Sequence, residues 1–233
     1  MQSVRPVTTA GAILRALGVP ETDPAPVLPC PRGVEDVLDH CLLVGDALGR
    51  VEQARRLVVE LRNRLFTAAE HVNPYADGPS VAVIIGADPV QLGGRWVAQL
   101  VERAGGRYPW IPAVPNPLAG EAVGPQQGER LAGDHRPLGR AEFVTDPPDA
   151  LVICPNGMDI EAASRFAAAL VASPGFVSTP AVLRGKVAVV DGIGTFGVPG
   201  PALADCFEWL VGWLHDRPEL MPRSLAWRRL DGG

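Results

Sequence analysis

The chain has 233 residues, 47% of them hydrophobic, and carries a formal net charge of −5. This length and composition are enough for one large or two small domains with a packed core. The acidic balance argues against a nucleic-acid-binding surface, because binding to phosphates needs clustered lysine and arginine side chains.

The sequence also bears on the cellular location of the protein. No segment reaches the roughly 18 apolar residues that a membrane-spanning helix needs, so we expect none. The N-terminal segment is a poor secretory signal, because Arg15 interrupts its apolar residues. A cytoplasmic location is therefore expected for the sequence as given.

The thiol and imidazole groups do not form a metal-binding pattern. The cysteines are scattered without a C-x-x-C pair, which favours buried free thiols. The histidines are also isolated, so we expect no metal site. These residues are Cys30, Cys41, Cys154, Cys206, His40, His71, His135 and His215.

Three helices are predicted in the first part of the chain. Residues 7–17 form a short helix, with Thr8 or Thr9 as N-cap and Gly18 at its end. Residues 25–28 are the only candidate for an edge strand in the proline-rich segment that follows. A strong helical pattern begins at Val34, and a longer one covers residues 51–71. At about 1.5 Å per residue the longer helix spans roughly 30 Å, enough to link two domains.

A strand–loop–helix unit follows the turn-rich residues 73–79. Residues 81–85 are β-branched and apolar, which predicts a strand buried on both faces. Residues 86–94 form a loop, and a helix begins at Arg95 and ends at Gly105-Gly106. In a parallel α/β domain ligands usually bind in the loops at the carboxyl ends of strands, so this loop is the first candidate site.

The remaining segments alternate between strand and helix patterns, which indicates an α/β fold with a parallel sheet covered on both faces. Strands are predicted at 107–111, 149–154 and 186–191, and helices at 160–172 and 200–214, the last with Pro201 in its first turn. Residues 141–146 fit either a short strand or the end of a helix. Residues 112–134 are predicted to be a long surface loop.

Several motifs, taken in order, resemble one protein family. They are the apolar strand with its Asp88-Pro89 loop, the G-R-W-V helix with A-G-G, the P-D-A-L-V-I strand with Pro-Asn-Gly, R-G-K-V-A-V-V-D, and an aromatic ahead of P-G-P. This order resembles the C-terminal lobe of class III ABC-transporter substrate-binding proteins, the cobalamin and iron-siderophore binders, and the cobalamin type most. The segment EDVLDHCLLVGDALGRVEQARRLVVELRNRL resembles the end of the family's N-terminal lobe and its inter-lobe helix. The resemblance covers roughly residues 25–215.

The resemblance implies a three-layer Rossmann-like parallel sheet lobe, preceded by a long spine helix and a remnant N-terminal lobe. Five segments are expected: a truncated N-terminal lobe (1–50), the inter-lobe helix (51–72), a connector (73–79), the C-terminal α/β lobe (80–216) and a tail (217–233). The family often places an aromatic residue before the Asp-Pro of the opening loop, where this chain has Ala87. The short N-terminal lobe and Ala87 are expected to weaken classical transport binding.

The function implied by the resemblance is non-enzymatic binding of a small molecule, with cobalamin, a siderophore or another metal chelate as ligand and an ABC permease as partner. Relatives of this type are periplasmic or lipid-anchored. The alternative is a cytosolic interaction or oligomerisation module that has lost transport binding, with a second copy or another protein as partner. An enzyme has the least support, because the sequence contains no nucleophile elbow, P-loop or dinucleotide-binding fingerprint.

Six residues are candidate ligand contacts: Asp88, Gln91, Trp96, Asn156, Met158 and Phe196. Phe196 is a candidate because the family has a cleft-lining aromatic ahead of P-G-P. Each of the others has a structural alternative. Asp88 fits a turn before a helix, Trp96 fits packing beneath the loop, and Asn156-Gly157 is a common turn pair. Trp209 and Trp213 fit a core or subunit contact better than docking to a transporter.

Overall fold

The computed structural model describes residues 8–20, 26–116, 130–139 and 142–230. Its main sheet has six strands, with β5 (Arg136–Pro137), β2 (Val90–Leu92), β1 (Val81–Ala87), β6 (Ala150–Ile153), β7 (Val187–Val190) and β8 (Trp227–Arg229) in that spatial order. The three central strands are parallel, and the outer pairs are antiparallel. Strands β3 (Val114–Pro115) and β4 (Arg130–Leu131) form a separate antiparallel pair.

The centre of the sheet confirms three sequence predictions. Strands β1, β6 and β7 fall within the predicted ranges or extend them by two residues. Residues 81–85 of β1 and all of β6 and β7 are buried. Strands covered on both faces have no polar side to present, and this is why they appear as continuous apolar runs.

The sheet is mixed, whereas a parallel sheet was expected. Strand β2 lies inside the predicted 86–94 loop and pairs with β1 across the two-residue turn Asp88-Pro89. Strand β8 lies in the predicted tail and pairs with β7. Both strands have three residues, too few to show the alternating pattern of a strand. The two arginines of β8, Arg228 and Arg229, are compatible with its position at the edge of the sheet.

Two other strand predictions were wrong. Of residues 107–111, only Arg107 pairs, through a single bridge to Ser80. Pro109 cannot donate a ladder hydrogen bond, and Tyr108 and Trp110 are buried in the core. In the proline-rich segment, residues 26–28 form no strand, and residue 25 lies outside the described residues.

The N-terminal helices are α1 (Thr9–Ala16), α2 (Val34–Ala47) and α3 (Val51–Ala69). Thr8 caps α1 as predicted, with its side chain accepting a hydrogen bond from the Gly11 N–H. Helices α2 and α3 form an antiparallel hairpin whose close approach depends on Gly45. A Cβ at that position would lie 2.2 Å from the Cβ of Ala54.

The remaining helices are α4 (Trp96–Arg103), α5 (Glu142–Thr145), α6 (Ile160–Val171), α7 (Pro180–Leu183) and α8 (Leu203–Leu214), followed by a 3₁₀ turn at Pro218–Leu220. Helix α5 resolves the open choice at residues 141–146 in favour of a helix. Helix α8 begins at Leu203, so Pro201 lies in the turn before it. Helix α7 has four residues, too few to show a helical period.

One continuous hydrophobic core joins the N-terminal helices to the sheet, from Ile13 in α1 to Leu225 before β8. Helix α3 is also attached to α8 by Arg64, whose Nε donates to Glu208 at 2.8 Å and whose Nη2 contacts both Glu208 and Asp205. The division of the chain into lobes, connector and tail stays a prediction. Among the described residues, no helix combines the length and apolar character needed to cross a membrane.

Candidate functional site

The carboxyl ends of β1, β6 and β7 meet at one side of the sheet, because these strands are parallel neighbours. The loops that leave them are the Asp88-Pro89 turn, residues 154–159 and residues 191–202. We call this set of loops, together with β2 directly after the Asp88-Pro89 turn, the carboxyl edge. Ligands of α/β proteins usually bind at such an edge.

Backbone hydrogen bonds join two loops of the carboxyl edge to each other and one of them to β1. The N–H of Asn156 donates to the carbonyl of Ile85 at 2.9 Å, which joins the loop after β6 to the end of β1. The N–H of Gly157 donates to Gly192 at 3.1 Å, and the N–H of Gly192 donates to Met158 at 2.8 Å. These bonds hold the two loops in one arrangement, and a site held in one arrangement has a lower entropy cost of binding.

A side chain at Gly192 would meet backbone where these loops join, and one at Gly197 would displace the side chain of Asn156. A Cβ at Gly192 would lie 1.9 Å from the carbonyl oxygen of Pro155, and one at Gly197 would lie 1.6 Å from the Oδ1 of Asn156. The Asn156 side chain packs directly on Gly197 and donates from Nδ2 to its carbonyl at 3.5 Å.

Four of the six candidate ligand contacts lie at the carboxyl edge with accessible atoms. Asp88 and Asn156 are exposed, and Gln91 and Met158 are half-buried. Gln91 pairs with Gly86 across the β1–β2 hairpin, and Asn156 is hydrogen-bonded to the neighbouring Ile85, so these two flank the end of β1. Their contact with a ligand stays a prediction.

The other two candidates, Trp96 and Phe196, lie beneath the edge. Both side chains are buried. The Nε1 of Trp96 donates to the carbonyl of Phe196 at 2.9 Å, and the Phe196 ring packs edge-on against Trp209. In this arrangement the two rings support the loop after β7, and ligand contact by either ring would require that loop to open.

His135 is a site-adjacent residue that the sequence did not point to. Its Nδ1 accepts a hydrogen bond from the Gly94 N–H at 2.8 Å, and its ring packs edge-on against Trp96. Burial lowers the pKa of His135 to about 4, so the ring is neutral near neutral pH. With Nδ1 as the acceptor, the proton lies on Nε2, and in that tautomer neither nitrogen is free to bind a metal.

The described residues contain no group of three or more His, Cys, Asp or Glu side chains placed to hold a metal ion. All four cysteines are free thiols. Cys41, Cys154 and Cys206 are buried as expected, whereas Cys30 is exposed. Burial raises the pKa of Cys41 to about 12 and raises that of Cys154 as well. These two thiols are protonated at neutral pH and are weak nucleophiles.

No family model matches the sequence. No curated protein matches it either. Solved structures, in contrast, match it over most of its length. The chain has a periplasmic-binding-protein-like fold.

Three of the similar structures illustrate the degree of similarity. A periplasmic heme-binding protein from Pseudomonas aeruginosa is 23% identical, with a TM-score of 0.60 over 87% of this chain and 66% of that one. The periplasmic heme-binding protein BhuT, in complex with two hemes, is 22% identical, with a TM-score of 0.56 over 81% and 65%. An ABC-transporter substrate-binding protein from Listeria monocytogenes is 16% identical, with a TM-score of 0.58 over 79% and 66%.

These matches confirm the expected structural similarity to ABC-transporter substrate-binding proteins, and the matched proteins include binders of heme and iron. The chain spans about two thirds of the length of these proteins. The three matched proteins are named for heme or as transporter components. None of them is named for cobalamin, although the sequence resembles the cobalamin-binding members of the family most. At these identities the comparison establishes the fold, and the ligand has to be argued from the site.

Proposed function

We propose that this chain is a non-enzymatic binding protein for heme or another iron chelate, and that its carboxyl edge forms one wall of the binding site. The observation that carries the proposal is the position of the edge: three loops surround the carboxyl ends of the parallel strands, with the loops after β6 and β7 bonded to each other, in a fold that heme-binding proteins share.

The side chains of the edge suit a flat, partly charged chelate. Asn156 and Gln91 carry amide N–H groups that can donate to ligand carboxylates. Met158 offers apolar surface and a thioether, a group that serves as an axial ligand in some heme proteins. Bound heme would supply the iron, and the chain's own residues would orient the macrocycle and shield one of its faces from water.

A titration with several chelates tests the proposal. Purified protein is titrated with hemin, metal-free protoporphyrin, a ferric siderophore and a cobalamin, while the absorbance of the chelate and the tryptophan fluorescence are recorded. We expect saturable binding of hemin with a shifted absorbance band. Quenching of fluorescence is also expected, because Trp96 lies beneath the edge. Flat curves with every chelate would contradict the proposal, and binding of the cobalamin alone would restore the ligand that the sequence suggested.

Delivery of the ligand to an ABC permease is a second part of the proposal, supported by the similarity to a transporter component. We expect the ligand-loaded chain to stimulate ATP hydrolysis by a reconstituted heme permease more than the empty chain does. Equal rates with the loaded and the empty chain would remove the transport role and leave ligand binding intact.

A further inference from the structure

Helix α1 lies against one loop of the carboxyl edge. A Cβ at Gly200, near the end of the loop after β7, would lie 3.1 Å from the Cβ of Ala12 in α1. Gly200 is buried and Ala12 is half-buried. The next two residues of the helix, Ile13 and Leu14, are buried in the hydrophobic core. Helix α1 therefore covers the end of the loop that carries Phe196.

The backbone of α1 is bonded only locally in the described part of the chain. Its hydrogen bonds and those of the flanking residues join residues 8–19 to one another. The described residues between α1 and α2, 17–20 and 26–33, belong to no helix or strand. Helix α1 has eight residues, and isolated helices shorter than about 12 residues are marginally stable in water. Its large buried side chains are Ile13 and Leu14, a small apolar gain against the entropy cost of ordering the helix.

The loop after β7 is held from two sides. Helix α1 lies on Gly200, and the Nε1 of Trp96 donates to the carbonyl of Phe196 at 2.9 Å from below. The rings of Trp96 and Phe196 are buried while the loop is in this position. We propose that α1 is a displaceable cap: its contact with Gly200 keeps the loop closed, and its release lets the loop open, so that a ligand reaches both rings. This regulation rests on the proposed function, because the ligand concerned is the chelate.

A disulfide between α1 and the loop tests the cap. In the variant A12C/G200C/C30S, a shift of a few tenths of an ångström gives the two Cβ atoms the separation of about 3.5–4.5 Å found in disulfides. The third substitution removes Cys30, an exposed thiol. The matched control A12S/G200S/C30S has side chains of similar size and no crosslink. We expect the crosslinked variant to bind hemin at least about tenfold more weakly than the control, because its open state is not populated. Equal affinity would overturn the cap.

Weakening the contact of α1 with the core should have the opposite effect. Leu14→Ala removes one of the large buried side chains of α1, so it should raise the affinity for hemin at least about threefold. Leu38→Ala is the matched control, because Leu38 is also fully buried but lies in α2. Circular dichroism checks that both variants remain folded. Weaker binding by Leu14→Ala, or an equal increase in the two variants, would show that α1 does not restrict access to the site.

Hydrogen exchange measured by mass spectrometry tests the cap without a ligand. In the natural chain, residues 9–16 should exchange at least about tenfold faster than residues 34–47 of α2, and the crosslink should slow exchange both in α1 and in the loop after β7. Exchange of α1 that is as slow as that of α2 would overturn the cap even if hemin binds. If no chelate binds to any variant, the proposed function fails and the regulation of binding fails with it, whereas fast exchange of α1 would still show that the cap opens.

Discussion

Trp96 shows how a single residue can support the candidate site without lining it. Its indole N–H donates to the carbonyl of Phe196, which fixes the loop after β7 from below. The sequence placed Trp96 at the start of a helix and left two roles open, a cleft wall and packing beneath the loop. The structure shows the packing, because both the ring and its hydrogen bond lie in the interior.

Replacing Trp96 by phenylalanine is expected to destabilise the protein more than the same change at Trp209. Trp96→Phe leaves the carbonyl of Phe196 without its donor, which costs about 1–3 kcal/mol beyond the lost volume. The Nε1 of Trp209 has no hydrogen-bond partner in the described part of the chain, so Trp209→Phe loses volume and part of its ring contacts with Phe196, Trp213 and Trp227 but no hydrogen bond. Urea denaturation compares the two free energies of unfolding. A smaller loss of unfolding free energy for Trp96→Phe than for Trp209→Phe would show that Trp96 does not hold the loop after β7 in place.

His135 is expected to make folding sensitive to acid. Burial is the main cause that lowers its pKa from 6.5 to about 4, and Arg95 lowers it further while Asp134 opposes the shift. The unfolded chain therefore binds the proton more readily. The contribution to stability is complete above pH 6.5 and is lost as the pH falls toward about 4, on the order of 3 kcal/mol at most.

The measurement is the free energy of unfolding across this pH range, for the natural chain and for His135→Gln. Glutamine keeps an acceptor for the Gly94 N–H but does not titrate. The variant should lose less stability than the natural chain as the pH falls. Parallel curves for the two proteins would show that His135 is not the titrating group.

At the scale of elements, Arg64 attaches the long helix α3 to α8. It contacts two carboxylates, Asp205 and Glu208, and all three side chains are less than one third exposed. An ion pair in such a position contributes more than an exposed one, because water screens it less.

We expect Arg64→Met to lower the free energy of unfolding by about 2 kcal/mol, since it leaves two half-buried carboxylates without a counter-ion. Arg62→Met on the same helix is the control. Its partner Glu35 lies 2.9 Å away, but the two side chains are 53% and 43% exposed, so the loss should stay below about 1 kcal/mol. Thermal unfolding measures both. Equal losses would mean that Arg64 does not hold α3 in place.

The elements that the sequence predicted well are those whose own residues dictate their structure. Strands β1, β6 and β7 are apolar runs, and α2 and α3 have a clear helical period. The elements that were missed depend on distant partners. Strand β8 forms only because β7 has an open edge, and β2 forms only because the chain reverses at Asp88-Pro89. The hydrogen bond between Gly94 and His135 joins residues 41 positions apart, and no local sequence pattern predicts it.

At the scale of the whole molecule, the fold and the candidate site depend on each other. The parallel strands place three loops at one edge, and the N-terminal helices share the core of the sheet. The sequence predicted the location of this edge and four of its accessible residues, since both follow from the order of strands and loops. The burial of Trp96 was left open and that of Phe196 was not predicted, because both depend on how the loops pack together.

The affinity for hemin with and without the side chains of the carboxyl edge tests the central claim most directly. We compare the natural chain with the double variant Asn156→Ala/Met158→Ala in an absorbance titration. The control is Tyr75→Ala, since Tyr75 is 84% exposed and precedes β1, away from the carboxyl edge. The proposed site predicts binding at least about tenfold weaker in the double variant, or about 1.4 kcal/mol, and no change in the control. Equal affinity in all three proteins would contradict binding at the carboxyl edge.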